Sequence, residues 1–207
     1  HIQKKAELKA LQAQIKPHFL YNVLQAVNWN AIDKGDTETS LIVVNLSNFY
    51  RAVLNKGDDD ISVEKELKIV EYYINVEKAI YGDIFKVVYN IDEDIKNCLA
   101  IPLILQPLVE NAIEHGIRSL AEPHGEIAVS AYAEGGTLVF TVSDNGAGIP
   151  PQKTDTILTK ATSGYGLKNI NERIKLRFGE EYGLRLTSPR CPTVFTITLP
   201  LIPLEPQ

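Results

Sequence analysis

The chain has 207 residues, 44% of them hydrophobic, and a formal net charge of −5. That length and apolar fraction suit one large or two small globular domains with a sizeable core, and the acidic balance argues against a general nucleic-acid surface. Cys98 and Cys191 make neither a disulfide framework nor a close-spaced metal box, and no apolar run reaches the roughly 20 residues needed to cross a bilayer.

In chain order, a long helix is expected from near Gln3 to about Asp33, because Leu8, Leu11, Ile15, Phe19 and Leu20 recur at three- and four-residue spacing. Pro17 falls inside it, where a proline removes a backbone donor and clashes with the preceding turn at a cost of about 3 kcal/mol. Lys34-Gly35-Asp36 reads as a turn. A second run, Leu41 to Leu54, carries Leu46, Phe49 and Val53 and ends before Gly57. Two helices joined so closely should lie antiparallel. Neither buries its apolar stripe well against one partner, so a dimeric four-helix bundle is expected, against a monomeric hairpin packed on the rest of the chain. Ser62 is a candidate N-cap for a third helix reaching Ala79 or Ile80, with Glu64 and Glu66 in its first turn and its Glu/Lys content read as a solvated face.

Phe85 to Ile91 alternates as a strand does, and an apolar helix follows Pro102 and ends near His115-Gly116. Ile127 to Ala133 and Leu138 to Val142 read as strands joined by Glu134-Gly135-Gly136. A helix from about Leu167 to Arg177 and strands Leu184 to Thr187 and Val194 to Leu199 complete the pattern. Without regular βαβ repetition, the expected class is α+β, a dimerising helical hairpin followed by a mixed-sheet α/β sandwich. The expected division is 1–57 for the helical pair, 58–82 for a connector, 83–202 for the sheet domain and 203–207 for a tail.

Four stretches carry chemistry. In IKPHFLYN, His18 presents an imidazole that can be a phosphoryl acceptor, a base or a metal ligand; a helix-surface or bundle histidine is the plain alternative. Asn22 lies one helical turn further on and on the same face, where it could orient the imidazole or a water that removes phosphate, or be a polar bundle contact. In LILQPLVENAIEHG, Asn111 offers a hard amide oxygen suited to Mg²⁺, and Glu110 could hold a magnesium-bound water or move a proton. Both also suit an ordinary solvated helix. In VSDNGAGIP, Asp144 can accept from an adenine exocyclic amine, while Gly146 and Gly148 let backbone approach a flat base and sugar. DNG alone is equally a turn. In SGYGLKNI, Gly164 and Gly166 permit a tight turn into a helix at Leu167, whose free N–H groups can hold phosphates. Lys160, Lys168 and Arg173 are candidate phosphate partners, and residues 150–163 a candidate lid. Neither a P-loop nor a dinucleotide fingerprint is present.

Together, IKPHFLYN, LILQPLVENAIEHG, VSDNGAGIP and GYGLKNINERI resemble the cytoplasmic core of LytS/YesM-type sensor histidine kinases, over most of residues 8–200. The resemblance implies a helical dimerisation and phosphoacceptor region followed by a Bergerat-type ATP-binding domain, the fold shared with gyrase, Hsp90 and MutL. It implies His18 as phosphoacceptor, Asn111 as Mg²⁺ ligand, Asp144 as adenine-binding acid, and Gly146, Gly148, Gly164 and Gly166 around the nucleotide. It also implies ATP and Mg²⁺ as bound groups, a homodimer, and a response regulator with a receiver aspartate as partner. A sensor and membrane segment are implied upstream, with the full-length protein in the bacterial cell membrane.

The chain departs from the family pattern in places. Phe19 follows His18 where many histidine kinases have an acid, as this subfamily permits, Glu114 replaces a lysine common in kinase nucleotide helices, and Pro192-Thr193 stands where glycine-threonine is usual. Hydrolysing relatives carry a water-activating glutamate four residues before the magnesium asparagine; here that position is Pro107. The expected activity is an ATP-dependent protein-histidine kinase that phosphorylates His18 and passes the group to a response regulator. An ATP hydrolase using the same pocket and a nucleotide-binding dimeric scaffold are the competing readings.

Overall fold

The computed structural model describes residues 17–54, 60–122, 124–154, 157–158 and 165–204. They belong to two compact units, His1–Gly57 and Asp58–Gln207. The first is a helical hairpin of α1 (Pro17–Asp33) and α2 (Thr37–Leu54). The part of the expected first helix before Pro17 lies outside the described residues. Gly35 turns the chain at φ 68°, and the Asp36 carboxylate accepts from Thr39 N at 3.0 Å and Thr39 Oγ1 at 2.7 Å. α2 therefore begins at Thr37, before its apolar period starts, because a polar cap rather than periodicity sets a helix start. Ser40 bonds to Asn28 near the turn and Arg51 lies over the Tyr21 ring further out, as antiparallel helices require. Leu24, Ala31 and Val43 are buried between them.

The second unit contains β1 (Ile61–Ser62), α3 (Val63–Tyr81), β2 (Phe85–Ile91), β3 (Leu99–Ala100) and α4 (Gln106–Asn111), which runs into a π turn at Ala112–Ile117. β4 (Gly125–Glu134), β5 (Thr137–Asp144), α5 (Pro151–Thr154), α6 (Tyr165–Phe178), β6 (Gly183–Ser188) and β7 (Thr193–Pro200) follow. Five strands form one mixed sheet in the order β2-β4-β5-β7-β6, with only the β2–β4 pair parallel. β1 and β3 pair separately and are too short to show a sequence period.

Alternation along the strands sorts the two faces. Ile127, Val129 and Ala131 of β4, Leu138, Phe140 and Val142 of β5, and Phe195, Ile197 and Leu199 of β7 are buried side by side. Ile69, Val70 and Ile74 of α3, Leu108 and Val109 of α4, and Leu167, Ile170 and Ile174 of α6 are buried too. The opposite face carries partly exposed Ser130, Thr141, Ser143, Thr196 and Thr198. The result is the expected mixed-sheet α/β sandwich.

Within the expected connector, 58–82, Val63–Tyr81 form α3 of this unit. Ser62 caps α3 by accepting from Lys65 N at 3.1 Å, and Gly82 ends it at φ 74°. Glu66, read from sequence with the solvated face, is instead fully buried, because three backbone N–H groups satisfy its carboxylate there. The helix after Pro102 starts only at Gln106, since Leu103 at φ 61° breaks the helical path.

Candidate functional site

The buried row of β5 reads Leu138, Phe140, Val142 and Asp144, so its fourth member is a carboxylate, 4% exposed. Burial pushes the Asp144 pKa up to about 6, opposed by the Gly146 N–H, which donates to Oδ1 at 3.0 Å. A desolvated carboxylate with one such partner keeps acceptor capacity for another donor. Directly opposite on β7 stands Thr193, 2% exposed, whose Oγ1 has no hydrogen-bond partner among the described residues. Cross-strand neighbours share a face, so the acid and the hydroxyl lie on the same side of the sheet.

Two glycines allow backbone to close around the acid. A Cβ on Gly116 would clash with the Asp144 carboxylate, and one on Gly146 with the Gly116 backbone. Ala147 N donates to Gly116 O at 3.1 Å, which stitches the DNG loop to the π turn. Gly148 sits at φ 77°, and the next residue, Ile149, donates its N–H to Pro189 O at 2.7 Å.

Asn111 is the last residue of α4, immediately before that π turn, and is partly buried. Glu110 is exposed and accepts from Gln106 Nε2 at 3.0 Å. Glu114 turns toward α3, accepting from Tyr81 Oη at 3.3 Å and pairing with Arg118, whose guanidinium lies 4.3 Å from the Tyr81 ring centroid. At the start of α6, a Cβ on Gly166 would meet the Pro107 Cβ at 3.0 Å. That end of α6 therefore abuts α4 one turn before Asn111. Leu167 is buried at 2% exposure, and Lys168 pairs with Glu172 at 3.7 Å.

Arg173, a sequence candidate for phosphate, donates through Nη2 to Pro102 O at 2.7 Å, so its guanidinium holds the segment before α4. Lys160 and Gly164 lie outside the described residues. Of the candidate lid, Pro151–Thr154 forms α5 and Ile157 is buried, while 155–156 and 159–163 are outside the described residues. In the helical unit, His18 is exposed and its Nδ1 lies 3.2 Å from Asn22 Nδ2. The two ends of an amide are interchangeable in shape, so which of them faces the ring follows the imidazole tautomer.

Two residues escape the sequence reading. Thr193 figures there only in an unusual dipeptide, yet it is in phase with buried Phe195, Ile197 and Leu199. Glu66 stands three and four residues before buried Ile69 and Val70, so the apolar stripe of α3 passes through it. The assembled groups fit a flat heterocycle bearing an amine, read by an acid and a hydroxyl, beside an amide oxygen suited to Mg²⁺.

The comparisons agree with that geometry. The histidine kinase family matches residues 6–85, and the histidine kinase-, DNA gyrase B-, and HSP90-like ATPase family matches residues 99–203. The sensor histidine kinase YesM of Bacillus subtilis is 39% identical over 189 residues, 90% of this chain and 32% of YesM. The sensor protein LytS of Staphylococcus saprophyticus is 37% identical over 209 residues, 98% of this chain and 35% of LytS. The chain thus spans about a third of the length of these curated relatives. The catalytic domain of the histidine kinase ThkA shares the fold, with a TM-score of 0.52 at 17% identity over 70% of this chain and 97% of that one. No helix among the described residues is long and apolar enough to cross a membrane. With one family covering the helical pair and the other the sheet unit, the chain belongs to the histidine kinase-, DNA gyrase B- and HSP90-like ATPase family, as a core of the LytS/YesM sensor kinase type.

Proposed function

We propose that this chain is an ATP-dependent protein-histidine kinase core: residues 83–202 bind Mg-ATP, His18 accepts the phosphoryl group, and a response-regulator aspartate receives it. The observation that carries the reading is the buried Asp144 beside the unpartnered Thr193 hydroxyl. Bound Mg-ATP supplies the γ-phosphoryl group, its charge balanced by the metal.

Asp144 accepts from the adenine amine, and Thr193 offers its hydroxyl to the same edge of the base. Gly146 and Gly148 admit the base and sugar against backbone. Asn111 gives its amide oxygen to Mg²⁺, with Glu110 next to it. Gly164, Gly166 and Leu167 bring N–H groups to the phosphates at the start of α6, and Lys160 and Lys168 bring cations. Arg173, which holds the Pro102 carbonyl through Nη2, is a further phosphate partner. In the helical unit, Asn22 Nδ2 lies 3.2 Å from His18 Nδ1; with the amide turned so that its oxygen accepts from Nδ1–H, the Nε2 lone pair of neutral His18 is the one free to take the phosphoryl group. Pro107, packed against Gly166, stands where hydrolysing relatives place a carboxylate, which favours transfer to histidine over attack by water.

Residues 1–57 form the dimerising acceptor unit and 58–82 the connector. The exposed apolar residues of the hairpin support a homodimer. The one-third coverage of sensor kinases supports a sensor and membrane segments elsewhere in a full-length bacterial membrane protein.

The test is transfer of label from γ-labelled ATP with Mg²⁺ to the chain and to folded, nucleotide-binding His18→Gln. Acid-labile, base-stable label only in the original is the expected result. Equal labelling removes His18 from the role. Phosphate release without labelled protein turns the reading to a hydrolase, and binding with neither turns it to a scaffold.

A further inference from the structure

We infer that Glu66 is a positioning residue for the nucleotide helix, fixing from the first turn of α3 where Asn111 sits at the far end of α4. The inference rests on the ATP-binding reading and deepens it. Glu66 is 0% exposed. Its Oε2 accepts from Leu103 N at 2.9 Å, and its Oε1 accepts from Ile104 N at 2.8 Å and Leu105 N at 2.9 Å.

Those donors lie immediately before Gln106, where α4 begins, and the N-cap residue Leu105 makes no side-chain capping bond. A helix start leaves N–H groups unpaired and carries partial positive charge. Here a carboxylate 37 to 39 residues earlier in the chain supplies the missing acceptor and the missing negative charge.

The segment needs such a hold. Leu103 is at φ 61°, a left-handed conformation that side chains other than glycine rarely adopt. Arg173 from α6 grips the same stretch by donating to Pro102 O at 2.7 Å. Burial pushes the Glu66 pKa up to about 7 while the three N–H groups and Arg173 oppose it, so the contact is made at a desolvation cost that a solvated glutamate would avoid.

α4 has only six residues, Gln106–Asn111. The direction of its first turn is therefore carried to Asn111 within two turns of a hydrogen-bonded rod.

The test uses the 207-residue chain, Glu66→Gln and Asp144→Asn, each titrated calorimetrically with Mg-ATP and, in chelator, with metal-free ADP. Glu66→Gln keeps the size but sets an amide donor against backbone donors. We expect its Mg-ATP affinity to fall about tenfold, the scale of one charge-assisted hydrogen bond, with ADP affinity within about twofold of the original; Asp144→Asn should weaken both. No change in Mg-ATP affinity, or an equal loss for both ligands, would overturn the inference. Should Glu66→Gln not fold, amide exchange in the original chain decides: the Leu103, Ile104 and Leu105 amides should be more protected with Mg-ATP than with metal-free ADP, and equal protection overturns it. If the original chain binds neither nucleotide, the ATP reading fails and takes this inference with it; if only the Glu66 effect is missing, that reading stands.

Discussion

The helical hairpin and the sheet unit treat their apolar residues in opposite ways. In the hairpin, Leu24, Ala31 and Val43 are buried, while Phe19, Val23, Val27, Trp29, Ile32, Leu41 and Val44 remain exposed. In the sheet unit, Ile127, Val129, Phe140, Val142, Phe195 and Ile197 are all at 2% exposure or less. A fully buried large aliphatic or aromatic side chain contributes about 1.5–3 kcal/mol, and ordering each residue's backbone costs about 1–2 kcal/mol. The hairpin's few buried groups fall well short of that cost, so it calls for a second apolar surface. The sheet unit closes its own core and keeps two buried polar side chains, Asp144 and Thr193, at one end of it.

The sharpest way to break this contrast is to charge the hairpin's open side. The double substitution Val23→Asp and Val27→Asp should raise the dimer dissociation constant about a hundredfold, as losing central apolar contacts does, read by sedimentation equilibrium. The near-ultraviolet circular dichroism of the sheet unit should not change. A dimer of unaltered affinity would mean that the exposed stripe is not the interface.

In the sheet unit the corresponding change is Asp144→Asn, which should weaken ATP binding about tenfold by exchanging a charged acceptor for a neutral one. It also carries a pH signature. Burial raises the folded-state pKa of Asp144 from 3.8 to about 6, so between those values the native state holds a proton that the unfolded chain has lost. Stability from this group therefore falls as pH rises through that window. Relative to the original, Asp144→Asn should gain stability from pH 4 to pH 6 and then level off in urea unfolding. A difference independent of pH would show that the acid is not desolvated.

The smallest expected effect concerns the hydroxyl opposite Asp144. Thr193→Val removes a buried hydroxyl without a partner and keeps the shape, so the ligand-free chain should gain about 1 kcal/mol. ATP affinity should drop about threefold to fivefold, for loss of one neutral hydrogen bond. A loss of stability with unchanged affinity would place that hydroxyl outside the ligand's reach.

Much of the fold was legible because its signals are local. Strand alternation marks Phe85–Ile91, Gly125–Glu134, Thr137–Asp144 and Thr193–Pro200 to within a few residues of their observed ends, and Ser62 and Gly82 bound α3 through cap chemistry within one turn. The candidate site was legible as three glycine- or amide-bearing segments in order. How they meet was not, since the approach of Gly116 to Asp144 and of Gly166 to Pro107 joins residues distant in the chain.

By itself, the sequence determined the two-part architecture and the types of the longer elements. These follow from periodicities of two and 3.6 residues, which neighbouring side chains impose on one another. Only the tertiary structure decided that Glu66 is buried as a remote cap, that α4 starts at Gln106 and opens into a π turn, that Arg173 holds a carbonyl, and that Thr193 faces Asp144. Each of these depends on hydrogen bonds or strand register between segments far apart in sequence, where burial makes an unpaired polar group costly and so selects partners that no local pattern can name.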